Sequence, residues 1–318
     1  HAGIEPSRVV IACARELDRS ALEALAAPNA AARFSAFRRV AAPGGVRAPA
    51  GEDLGRGAWR ARLLGDGPWP ACWLDLERGK VLAAGRLVKY EGLGPAGDEA
   101  VARARALADA GFSPPPRDEG DGWVSYPLLA GRPMTPADLD GVVLDRLATY
   151  CAARPRVAAA GAPACDLAPM TEHNLGVALG AALSVPPLSV ERAVVADGRM
   201  LPHEWLGGDG PAMKVDGASH GDDHLFPGPT DVAWDLAGAI VEWQLDEGAR
   251  ARLLDVYQRA SGDDPTGRLR PWLLAYLAFR VGWTAMALAA RPGPGEAPRL
   301  ARALARYRAS AAALVDQS

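Results

Sequence analysis

The hydrophobic pattern of this chain changes character along its length, and that change constrains the fold more than any other feature. Between residues 58 and 129 the apolar residues fall in short, turn-bounded runs: AWRARLL (58–64), CWLDLERGKVLA (72–83), GRLVKYEGLG (85–94) and WVSYPLL (123–129). Runs of this length, bounded by glycine and proline, predict strands. One helix is expected among them, GDEAVARARALADAGF (97–112), with Asp98 as its N-cap and Gly111 as its stop. SPPPRDEGDG (113–122) reads as a loop. After AGRPMTPADL the pattern becomes helical, over 136–153, 166–184, 230–245, 247–261, 265–290 and 296–315. The one break among these helices is the polar region 186–229. The order predicts an α+β protein of two lobes, a small antiparallel sheet followed by a mostly helical part.

Length and charge narrow the field. The chain has 318 residues, enough for two domains or one large two-lobed one. Its formal net charge is −3, which argues against a broad nucleic-acid-binding surface. The four cysteines, Cys13, Cys72, Cys151 and Cys165, form no CxxC pair, so neither a zinc knuckle nor a redox pair is suggested. No signal peptide is read after His1, and the expectation is a cytoplasmic protein. PWLLAYLAFRVGWTAMALAA (271–290) is apolar enough to suggest a membrane span, but Arg280 at its centre is costly in lipid. A buried helix of a soluble domain is expected there instead, with no membrane partner. Residues 1–55 carry RVVIACA (8–14), strand-like, and RSALEALAAP (19–28), helix-like, then a Pro/Gly-rich stretch at 41–57. No chemistry motif stands in them.

The densest chemistry lies in MKVDGASHGDDHLFPG (213–228). It holds Asp216, Asp222 and Asp223 with His220 and His224, two of the chain's 5 histidines. Its glycines and proline exclude a regular helix or a central strand. Three readings compete: a metal site made by the cluster itself, part of a larger phosphate-handling site, or a solvated loop. Upstream, ERAVVADGRMLPHEWLGGDGPAMKVDG (191–217) places Asp197 after one apolar run and Asp216 after another.

These motifs, in this order, resemble the aminoglycoside phosphotransferase and choline kinase branch of the protein-kinase-like fold, over about residues 58–318. The resemblance implies a domain layout of 1–55 as an extension, 56–130 as a nucleotide-binding lobe and 131–318 as a helical lobe. It implies that Lys89, on the strand of GRLVKYEG, holds the phosphates of ATP or GTP, and that Glu99 on the next helix pairs with it. From the strand alone, Lys89 is better explained as a solvated lysine near a strand end. GDGPWPA (65–71) corresponds to the phosphate-covering loop, and GWVSYPLLAGRPM to the hinge, with adenine bonding backbone near Pro127 and Leu128. Asp197 corresponds to the base that takes the acceptor hydroxyl's proton. Asp216 corresponds to the ligand of Mg2+. His203, thirteen residues before Asp216, stands where the family has a metal-binding asparagine.

Two departures are visible. The family's His-Gly-Asp is Val-Ala-Asp here, and imidazole is a poorer magnesium ligand than an amide or carboxylate oxygen. TDVAWDLAG (230–238) resembles the family's helix start, where Asp231 would cap the helix and Asp235 would brace the catalytic loop. His220, Asp222, Asp223 and His224 would then face the acceptor and grip a small polar or cationic metabolite. The expected activity is phosphoryl transfer from ATP to a hydroxyl of such a metabolite. Two alternatives stay open: a pseudokinase-type nucleotide-binding module without turnover, and a metal hydrolase using His203, His220, Asp222, Asp223 and His224. Glu172, His173 and Asn174, in MTEHNLGVALG (170–180), are expected to serve packing and surface polarity.

Overall fold

The computed structural model of the chain describes residues 49–92, 94–161, 166–218 and 229–316. The segments expected at 8–14 and 19–28, and the loop residues His220, Asp222, Asp223 and His224, lie outside the described residues. The architecture is α+β, an antiparallel sheet followed by a mostly helical part. The chain divides into two compact units. The first takes residues up to Trp69, Trp73–Arg132 and the stretch starting at Met213; the second takes Pro70–Cys72, Pro133–Ala212 and the described residues after 228. The stretch from Met213, expected with the helical region, therefore groups with the first unit.

The first unit is built on five strands: β1 (Glu52–Asp53), β2 (Lys80–Ala83), β3 (Arg86–Tyr90), β4 (Arg117–Gly120) and β5 (Trp123–Pro127). Their order is β1-β2-β3-β5-β4, and each neighbouring pair is antiparallel. β1 lies in the segment read as an extension, and β4 in the segment read as a loop. Both corrections have one cause: a strand of two or four polar residues carries no hydrophobic period, and only its partner shows it. Two tight turns set the register. Ala84 and Gly85 join β2 to β3 with φ of 49° and 73°, and Asp121 and Gly122 join β4 to β5 with φ of 54° and 78°. Positive φ at both central residues matches the twist of an antiparallel pair, and Asp-Gly favours it.

AWRARLL is a helix, α1 (Ala58–Leu64), and not the expected strand. Alanine, arginine and leucine are strong helix formers, and so short a run shows too little period to outweigh that. Arg60 is buried, its guanidinium 5.1 Å from the Trp69 ring. GDGPWPA consequently follows a helix and does not turn a hairpin, which removes the geometric basis for reading it as a phosphate-covering loop. The next helix, α2, spans Gly94–Asp109, so Asp98 stands inside it and is not its cap. Gly111, φ 76°, ends it as expected. Ala100, Ala104 and Leu107 bury one face of α2, and Ala104 packs with Val124, Tyr126 and Ala218. The stretch from Met213 is tied in by Lys214 N, which donates to Phe112 O at 2.8 Å, and by Arg103 Nε, which donates to Ala218 O at 2.7 Å.

The second unit contains α3 (Gly141–Val157), α4 (Ala168–Leu179), α5 (Ala233–Glu242), α6 (Glu247–Ser261), α7 (Thr266–Ala289) and α8 (Ala297–Val315). α7 packs against α4, α5 and α8, and α3 packs against α6. Trp234 on α5 meets the rings of Trp272, Tyr276 and Phe279 edge-on, at centroid distances of 6.4, 5.4 and 5.5 Å. Such pairs add about 0.5–1.5 kcal/mol each beyond burial. By length and composition α7 could cross a membrane, but 72% of its apolar window is buried inside the protein. Arg280 in α7 meets Glu242 at 3.0 Å and donates to Tyr307 Oη at 2.7 Å. On α4, Glu172 accepts from Val185 N and Asn174 donates to Ala278 O, so this polar run serves packing.

Candidate functional site

In the first unit, β3 carries Lys89 into the interior with 3% of its surface exposed. Its Nζ donates to Asp216 Oδ1 at 2.5 Å and lies 3.5 Å from Glu91 Oε1. The Tyr126 ring centroid is 5.8 Å away. Glu91 is fully buried, and its Oε2 accepts from Arg78 NH1 at 3.1 Å. Tyr126 Oη donates to Glu91 Oε1 at 3.2 Å. Burial, then the charges of Glu91 and Asp216, hold the Tyr126 phenol well above its ordinary pKa, so it stays a donor. A cavity of about 10 Å³, room for about one water, lies here, lined in part by Lys89, Tyr126 and Lys214.

The structure thus brings Lys89 and Asp216 together. It does not bring Glu99 to Lys89. The Glu99 side chain is 70% exposed and pairs with Arg103, one helical turn on, at 3.7 Å. The partner of Lys89 within its own strand region is Glu91, which the motif comparison passed over. The signal was present, since residues two apart on extended chain share a face. Pro127 closes β5 opposite Arg86, and Leu128 beyond it is 43% exposed.

In the second unit, the two-residue strands Ala193–Val194 and Thr230–Asp231 pair antiparallel and launch the Asp197 loop. Asp197 is fully buried. Its Oδ2 accepts from Tyr150 Oη at 2.6 Å, and its Oδ1 from Met200 N at 3.3 Å. Asp235 accepts from Asp197 N at 2.9 Å and Gly198 N at 3.2 Å, so it braces the loop as expected. Asp231 is not the N-cap of α5, which is Val232; it stands one residue earlier, accepts from Ala233 N, and also holds Glu191 N, Arg192 N and Arg268 Nε. Arg154 on α3 stands 3.7 Å from Asp235, donates to Tyr150 Oη at 3.2 Å and donates to Val195 O. Three aromatic donors claim successive loop carbonyls: Trp234 Nε1 takes Gly198 O, Tyr276 Oη takes Arg199 O, and Trp243 Nε1 takes Met200 O.

Burial is the main influence on the pKa of these groups. It pushes Asp235 up to about 6, helped by the Asp197 charge and opposed by Arg154 and the two loop N–H groups. It raises the Tyr150 phenol well above its ordinary value, with Asp197 adding to the effect. It does the same to the Cys151 thiol, which is therefore an inert core group. His203 sits on a single 3-10 turn, Pro202–Glu204, and is half-buried. Within each unit, no three His, Cys, Asp or Glu side chains among the described residues gather as a metal site.

No protein-family model matches the sequence, and no curated protein matches it significantly. Among solved structures, the chain is similar to a choline/ethanolamine kinase family protein from Mesorhizobium loti, at 19% identity over 73% of this chain and 88% of that one, TM-score 0.48. It is similar to choline kinase LicA from Streptococcus pneumoniae, at 13% identity over 73% and 89%, TM-score 0.46. It is similar also to a macrolide 2′-phosphotransferase from Brachybacterium faecium, at 20% identity over 73% and 88%, TM-score 0.44. With TM-scores below 0.5, the functional reading of this chain rests on its own residues.

Proposed function

We propose that the chain is a kinase-like phosphotransferase that binds ATP or GTP and transfers the terminal phosphoryl group to a hydroxyl of a small polar metabolite. The observation that carries this reading is the buried Lys89–Asp216 pair. A lysine with 3% exposure, held 2.5 Å from a carboxylate that follows a short apolar strand, is costly to bury for packing alone. The pair suits a group that takes phosphate oxygens beside one that takes a cation. Asp216 offers the hard oxygen that Mg2+ prefers, and such an ion keeps waters and nucleotide phosphates as its other ligands. A bound Mg2+ would neutralise phosphate charge; His203 suits it poorly, and its role as a ligand has no support from the donor chemistry. Backbone groups at Pro127 and Leu128 are the proposed adenine contacts. Asp197 is the proposed base, and His220, Asp222, Asp223 and His224 the proposed acceptor loop, fitting a cationic or hydroxyl-rich substrate.

A second reading has its own observation. Asp197 is fully buried, and both its oxygens already accept hydrogen bonds from Tyr150 and Met200. A base must reach the proton it abstracts. On this ground the chain binds nucleotide without turnover. One set of measurements separates the two. ATP with Mg2+ should stabilise the wild type against heat, and Lys89→Met should lose that stabilisation; equal stabilisation of both proteins would reject nucleotide binding at Lys89. If the protein turns ATP over with an acceptor, Asp197→Asn should lower kcat by at least about a hundredfold. No turnover by the wild type across hydroxylated and cationic metabolites selects the second reading. Stoichiometric zinc in the purified protein would instead favour the hydrolase.

A further inference from the structure

Lys89 needs a carboxylate that stays with it when Asp216 turns to another partner. The expected residue, Glu99, is on the exposed face of α2. Glu91 is 3.5 Å from Lys89 Nζ, fully buried, and fastened at both oxygens by Arg78 and Tyr126. We infer that Glu91, anchored by Arg78, is the residue that positions Lys89 for nucleotide phosphates. The inference rests on the proposed reading of Lys89 as the phosphate-binding lysine.

The backbone supports the assignment. Lys89 and Glu91 are two residues apart on extended chain, so their side chains leave the same face. Glu91 N donates to Gly122 O at 2.8 Å, which keeps the chain extended past the end of β3. Charge supports it as well. Arg78 and Lys89 pair with two carboxylates, Glu91 and Asp216. If Asp216 turns to a divalent ion, Glu91 remains to hold Lys89 and is itself neutralised by Arg78. Lysine placement is then a property of the sheet, because Arg78, Lys89, Glu91 and Tyr126 all stand on or beside β2, β3 and β5. No movement of α2 is needed to set it.

The test compares binding of ATP, ADP and adenosine, in magnesium buffer, to the full chain by calorimetry. Glu91→Gln should weaken ATP and ADP about tenfold and leave adenosine unchanged, because only the phosphates meet Lys89. Glu99→Gln should change none of the three. Tyr126→Phe keeps every charge and removes one hydrogen bond to Glu91; it should lower the ATP-to-adenosine affinity ratio about two- to threefold. A general loss of structure would weaken adenosine too, so the ratio reports positioning and not stability. An unchanged ratio in Glu91→Gln, or in Tyr126→Phe if Glu91→Gln does not fold, overturns the assignment; so does a fall of the ratio in Glu99→Gln. These outcomes leave nucleotide binding at Lys89 intact. A wild type that binds ATP no tighter than adenosine removes the underlying reading itself.

Discussion

Two acidic clusters are bound to buried cations in this protein, and they are built on opposite plans. In the first unit, Lys89 and Arg78 face Glu91 and Asp216, and the cluster keeps a route outward through Asp216, whose side chain is 17% exposed. In the second, Asp197 and Asp235 share Arg154 and Tyr150, and Arg154 and Asp235 are both wholly buried. The first has ion pairs that a ligand could exchange. The second has a lattice of backbone donors and aromatic caps around the loop, which exchanges nothing without local opening. Charged residues serve a site where they keep access to solvent, and they serve a fold where burial holds them among fixed donors.

Five substitutions would sharpen or break this contrast. Arg154→Met strands two carboxylates in the core and should cost about 3–5 kcal/mol, read from urea unfolding. Arg78→Met should cost clearly less, because Lys89 remains between Glu91 and Asp216; equal losses would erase the distinction between the clusters. Asp235 supplies the next effect. Its carboxyl is pushed up to about 6 from an ordinary 3.8, so the folded state holds that proton more tightly than the unfolded chain does. The stability from this group is therefore greatest at low pH, and falls by an amount on the order of 3 kcal/mol between about pH 4 and 6. Asp235→Asn should flatten that slope in melts taken across the window; a slope left intact would mean another group causes it.

Gly122→Ala comes third. Gly122 has φ 78°, and a Cβ there would meet Gly92 O at 2.4 Å. The expected loss is about 1–3 kcal/mol, seen as a lowered denaturation midpoint. It would also displace Gly122 O, which accepts from Glu91 N, so ATP binding should weaken along with stability. Glu99→Gln is the smallest. Its exposed pair with Arg103 is worth at most about 0.5 kcal/mol. A loss of several kcal/mol would show that Glu99 does more than this structure assigns to it.

The site was partly legible before any coordinates. Lys89, Asp231 and Asp235 stood out through the family resemblance and not through the strand or the spacing alone; Asp235 braces the Asp197 loop as that resemblance implied, while Asp231 binds the first turn of α5 without being its N-cap. Glu91 was hidden in plain view. Its shared face with Lys89 follows from the period of two, but whether that face is wet or buried depends on Arg78 and Tyr126, which are distant in sequence. Tyr150 and Arg154 gave no signal at all, because a tyrosine and an arginine at helical spacing look like any helix surface. α1 was misread for the opposite reason: seven residues suit either period, and the intrinsic preference of alanine, arginine and leucine decided.

The sequence by itself determined where the long helices run and where glycine stops or turns the chain, since glycine, proline and hydrophobic period act over a few residues. Asp121-Gly122, Gly111 and the long apolar α7 needed nothing from elsewhere in the chain. Tertiary structure alone decided which charges were paired. Lys89 and Asp216 are 127 residues apart, and Tyr150 and Asp197 are 47 apart. Pairing of buried charges is set by desolvation, a property of the surroundings and not of the residue. That is why Lys89 pairs with Asp216, far along the chain, and with Glu91, two residues on, and not with Glu99 on the next helix.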